Sequence, residues 1–141
     1  GVTAAMLNTD VTLDEITDHG ATTTNNITVG MINTSGVRTP ISSGSFSATP
    51  TFDLSSAGTF TTVMTNNITS MTLSNVTAGQ KFILRLVQDG TGSRTATFFS
   101  GISWAGGTTP TLTTTAGKAD VFGFLCTVSG TYEGFIVGQN I

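Results

Sequence analysis

The run Phe82-Ile83-Leu84-Arg85-Leu86-Val87 constrains the fold more than any other stretch of the chain. Phe82, Leu84 and Leu86 alternate with Ile83, Arg85 and Val87. That period of two suits an extended strand with one wholly apolar face and one mixed face. Asp89-Gly90 and Gly92-Ser93 follow, punctuating the strand as a hairpin connection would. Stretches of the same kind recur at 45–54, 58–64, 68–74, 94–99, 110–114, 119–128 and 131–137, with Gly, Asn and Ser turn signals between them. Short strands at this spacing predict an all-β fold, an antiparallel β-sandwich of jelly-roll type. The stretch 120–128 is apolar on both faces: Phe122, Phe124, Cys126 and Val128 fall on one side, Val121 and Leu125 on the other. Such a strand lies centrally, or has its outer face covered by another chain. Ser129-Gly130 returns it antiparallel to 131–137.

Composition narrows the classes open to this fold. Hydrophobic residues make up 38% of the 141, enough for a core, but only 9% are charged, against a usual share of about 25%. The polar surface therefore comes from Thr, Ser, Asn and Gly, as β-branched Thr in strands allows. Weak charge repulsion also favours self-association. The net charge is −3 and the pI about 4.7. Arg38, Lys81, Arg85, Arg94 and Lys118 are scattered, so nucleic acid is not an expected partner. No apolar run reaches the ~18 residues of a membrane helix, so no membrane insertion is expected. The opening Gly1–Met6 lacks the basic and long apolar regions of a signal peptide. Without an initiator Met, the chain reads as a processed product or a fragment. Cys126 is the single cysteine and has no intrachain disulfide partner.

Residues 1–40 read differently from the rest. A short helix is predicted over 12–19, with Thr12 and Glu15 at capping-box spacing, Leu13 and Ile16 on one face, and Gly20 as the stop. Two turns are not stable alone. The stretch 21–37 reads as extended, with Ile27, Val29 and Met31 and little core of its own. This segment is expected to be a connector that associates through Leu13, Ile16, Ile27, Val29 and Met31, ahead of a head domain over 41–141. Thr24–Thr28 recurs as Thr65–Thr69, but without a fixed period the echo reads as compositional.

Chemistry is sparse. His19 is the single histidine, and it shares the short helix with Asp14, Glu15 and Asp18. That cluster reads as a solvated polar face with a His at the favourable helix end, unless several chains bring His19 to one axis. Asp53, Asp89 and Asp120 are far apart in sequence, and nothing fixes them as an acid–base pair. The Asp89–Ser93 turn lacks the alternating ligands of a calcium loop. The four Asn-x-Ser/Thr matches, at Asn26, Asn33, Asn67 and Asn75, are expected by chance in so Thr-rich a chain. No catalytic, cofactor or metal residue is assigned, and no enzyme activity is expected. Trp104, near Phe98 and Phe99 and before Gly106-Gly107, reads first as a seal on the sandwich edge, and second as a platform for sugar.

The run Leu84-Arg85-Leu86-Val87-Gln88-Asp89-Gly90-Thr91-Gly92-Ser93-Arg94-Thr95 resembles tail-fibre and related appendage domains of bacteriophages. So do Trp104–Thr113, Asp120-Val121-Phe122 and Gly130-Thr131-Tyr132. Ile16–Gly30 is similar to a connector of such fibres, and Val2–Leu7 to their short shaft repeats. Glu133-Gly134-Phe135 departs from the usual ending. The resemblance implies a homotrimeric virion protein whose connector winds about a threefold axis and carries a β-rich head. Its partners would be other virion structural proteins and a glycan or protein of the host surface. Arg94, Trp104, Thr108 and Thr109 would lie in the contact loops. A capsid decoration or cement protein is the alternative within viruses. A carbohydrate-binding module of a secreted protein is the alternative outside them.

Overall fold

The computed structural model describes Gly36 and residues 38–141, the latter within a unit that runs Val37–Ile141. The predicted helix and extended connector, with Leu13, Ile16, Ile27, Val29 and Met31, lie outside the described residues. The described part is mostly β-strand: β1 (Ile41–Ser43), β2 (Thr51–Asp53), β3 (Thr59–Met64), β4 (Thr72–Ser74), β5 (Lys81–Gln88), β6 (Ile102–Trp104), β7 (Ala119–Val128) and β8 (Thr131–Gly138). A 3-10 turn at Ala105–Gly107 follows β6. Among the described residues no helix is long and apolar enough to cross a membrane.

The alternation that singled out residues 82–87 is realised in β5. Phe82, Leu84 and Leu86 are buried, whereas Lys81 and Arg85 are exposed and Ile83 and Val87 half-buried. Each of the three buried side chains contributes about 2 kcal/mol relative to exposure. In β7, Phe122, Phe124 and Cys126 face the same core, and Val121 and Leu125 point to the other side of the sheet. β7 turns at Ser129-Gly130 and pairs antiparallel with β8, as the sequence predicts.

The sheet is mixed, where an antiparallel arrangement was expected. Its order is β1-β3-β5-β7-β8-β6, and β1, β3 and β5 run parallel, as do β8 and β6. Parallel neighbours need crossovers. Here β2 and β4 provide them, and they pair with each other in a parallel two-stranded sheet. The chain thus winds through both sheets in stacked coils. A third point of contact sits between them, where Ile68 bridges Ala96 in parallel and the Thr69 N–H donates to the Ala48 carbonyl at 2.8 Å. Successive coils advance 18 and then 24 residues (Ile41↔Thr59, Thr59↔Ile83), so no fixed period marks them in the sequence. The Asp89–Ser93 turn is therefore not a hairpin: β5 pairs with β3 and β7, and residues 94–99 leave the sheet. The stretch 110–114 is irregular, while β1 and β6 form where no strand was expected.

The core fills the space between the two sheets. Phe52 of β2 meets Phe60 of β3 with ring centroids 5.2 Å apart. An aromatic cluster closes the far side, with Phe82 stacked on Phe124 at 4.9 Å and Phe99 edge-on to Tyr132 at 4.9 Å. Tyr132 is buried, and the loss of solvent pushes its phenol pKa up.

Candidate functional site

The β6–β7 connection and β8 enclose a groove of about 520 Å³, lined by Trp104, Thr108, Thr109, Pro110, Ile136 and Gln139 among others. Its position follows from the packing of Trp104. The indole lies edge-on to Phe98, Phe122 and Phe124 at 5.0, 5.8 and 5.5 Å. It also presses on Gly134, where an added Cβ would lie 2.8 Å from an indole carbon. A side chain there would push Trp104 out, so Gly134 is what lets the ring lie flat on the sheet. Trp104 is therefore a wall of the core first, half-buried, with its remaining surface turned to the groove. Thr108 and Thr109 are exposed on the rim. Gln139 is held by a 2.8 Å bond from its Nε2 to the Thr111 carbonyl.

No charged side chain lines the groove. It offers an aromatic and aliphatic floor, three threonine hydroxyls and an amide. That chemistry suits a neutral, hydroxyl-rich ligand that lays an apolar ring face on the floor and hydrogen-bonds at the rim.

Arg94 stands apart from Trp104, Thr108 and Thr109. Its guanidinium is bidentate to Asp89, with the shortest contact Nη2–Oδ2 at 2.7 Å. Asp89 Oδ1 also accepts from the Thr91 and Gly92 N–H groups at 3.0 and 2.9 Å. Arg94, then those N–H groups, hold the carboxyl below the usual aspartate range. Arg94 is thus a brace of its turn.

The other two candidate carboxylates are each satisfied locally. Asp53 accepts from Asn75 at 2.8 Å and from Ser55, which lowers its pKa in that order. Asp120 is buried and accepts from the Thr113 N–H and hydroxyl and the Asn140 N–H at 2.6, 2.7 and 3.0 Å. No hydrogen-bond partner is common to any two of the three. Among the described residues no three His, Cys, Asp or Glu side chains form a metal-sized group; Asp14, Glu15, Asp18 and His19 lie outside them. A second recess of about 330 Å³ opens between β1 and β2, rich in Ser and Thr. Its aromatic residues, Phe52 and Phe60, are buried core.

Ile136 and Gln139 escaped the sequence reading. A signal existed: Phe135-Ile136-Val137 places three apolar residues in a row and breaks the alternation. The structure answers with a register shift between Val121 and Phe122, opposite Ile136–Gly138. Comparison with protein-family models, curated proteins and solved structures finds no match to this chain.

Proposed function

We propose that the protein is a structural and adhesive component of a bacteriophage virion, a tail-fibre-type head that contacts a neutral glycan of the host surface through the Trp104 groove. The groove carries this reading. It is uncharged, it combines an aromatic wall with threonine and amide groups, and it stands on a rigid aromatic core. Rigid placement limits the ordering cost of binding. In this reading the chain is a homotrimer joined through residues 1–40, without enzymatic activity. The six-stranded sheet over the two-stranded sheet is its sandwich-like head.

The test is binding of the full chain to a glycan array and to bacterial cells, beside the double variant Thr108→Ala/Thr109→Ala. Both threonines are exposed, so the variant keeps its fold. The expected outcome is millimolar or tighter binding to a neutral glycan, weakened about tenfold or more in the variant, as loss of two hydrogen bonds implies. Absence of binding to any glycan or cell at millimolar concentration removes the adhesive reading. Labelling of intact virions with antibody against the chain tests the virion assignment separately.

A further inference from the structure

The outer face of the six-stranded sheet, turned away from the core, carries Val63, Ile83, Val87, Val121, Leu125 and Phe135. Val63 and Phe135 are 50% and 44% exposed, and the other four are half-buried. Gly123 of β7 is covered by the Phe135 ring, so that ring lies flat along the sheet. β3, β5, β7 and β8 side by side, at about 4.8 Å per strand and 3.3 Å per residue, present on the order of 500 Å². That area is the whole face, with Thr59, Thr61, Lys81, Arg85 and Glu133 set among the apolar side chains. Two such faces together bury roughly 1,000 Å², the lower bound for a specific interface.

The strand register sets three rows across this face: Lys81–Leu125–Glu133, Ile83–Gly123–Phe135, and Arg85–Val121–Gly138. In each row the β7 residue is central, with β5 on one side and β8 on the other. Lys81 and Glu133 are both exposed, opposite in charge and symmetric about Leu125. A twofold axis lying in the face along β7 exchanges the β5 and β8 sides. It sets Lys81 of one copy over Glu133 of the other, twice. It also sets Ile83 over Phe135 twice, and Arg85 over Gly138, beside the Ile141 side chain that lies on that glycine. Packed sheets stand about 10 Å apart with strands within about 30° of each other. A lysine and a glutamate extended toward each other span that distance.

We infer that the outer sheet face binds a second copy of this chain about a twofold axis along β7, with reciprocal Lys81–Glu133 contacts at its end. The contact shares Phe135 with the wall of the Trp104 groove, and it is distinct from any association through residues 1–40.

Sedimentation equilibrium of the full chain at micromolar concentration tests it, with far-UV circular dichroism to verify folding. Leu125→Asp is expected to halve the mass of the parent. Lys81→Glu and Glu133→Lys, both at exposed positions, are each expected to shift the parent mass toward half. The double variant Lys81→Glu/Glu133→Lys is expected to restore it, because the swapped charges again face each other. A parent mass unchanged by all three single substitutions overturns the inference, whether the face is then bare or covered by another molecule. So does a double variant no better associated than the singles. The two charge variants keep the test decisive if Leu125→Asp does not fold.

Discussion

Gln88 occupies the fourth inward position of β5, after Phe82, Leu84 and Leu86, and it is as buried as they are. A polar group there must be satisfied from within the protein. Its Nε2 donates to the Arg94 and Thr113 carbonyls at 2.9 and 2.7 Å, and its Oε1 accepts from the Arg94 N–H at 2.8 Å. One side chain thus takes the place of a strand partner for two irregular segments. Gln88→Ala leaves three backbone groups unpaired in a buried site. We expect a loss of about 2–4 kcal/mol, read as a shift in the denaturant midpoint with unchanged slope. A loss below about 1 kcal/mol would mean that water replaces the amide. Polarity at an inward position was visible in the sequence; the partners, six and 25 residues away, were not.

At the scale of the element, the turn after β5 shows how a local signal can be right in kind and wrong in consequence. Asp89-Gly90-Thr91-Gly92 does turn the chain, with the Asp89 carboxylate collecting N–H groups as aspartate does in turns. Arg94 then closes it with an ion pair. Yet the residues beyond do not return along β5, because the Ser93 N–H pairs with the Thr114 carbonyl and β7 takes the free edge. The bound carboxyl has a pH consequence. Its pKa is lowered on folding, so its contribution is present above the unfolded value of about 3.9 and is lost as pH falls through the depressed folded value. Thermal melts between pH 5 and pH 2 should show less acid destabilisation in Asp89→Asn than in the parent. Equal slopes would show that Asp53 and the remaining carboxyls dominate the acid limb.

For the whole molecule, the main question is whether the stacked coils and the antiparallel β5-β7-β8 part unfold together. They share β5, and the core runs without interruption from Phe52 and Phe60 through Phe82 to Phe124 and Tyr132. Shared burial of this kind makes unfolding cooperative. Trp104, the single tryptophan, reports on the β6–β8 end, while circular dichroism reports on all strands. The two denaturation curves should coincide. A circular dichroism transition that precedes the fluorescence transition would show the coils melting separately.

What the sequence determined by itself is what depends on neighbours along the chain. The alternation in 82–87 and 120–126 placed each side chain on its face, while Val128, expected beside Cys126, is exposed beyond the register shift that follows Cys126. Ser129-Gly130 made a tight hairpin, and Trp104, read first as a seal, packs half-buried against the core. Strand direction and order were decided only in three dimensions. A period of two is the same for a parallel and an antiparallel strand, and only the path of β2 and β4 between the sheets makes β1, β3 and β5 parallel. The groove depends on that same choice. Trp104 and Ile136 come from strands 32 residues apart that the β6–β8 pairing sets side by side. Thr108 and Thr109 were named from their loop alone. Their companions Ile136 and Gln139 could be found only when packing closed the opposite wall, because no local pattern records which strand will be a neighbour.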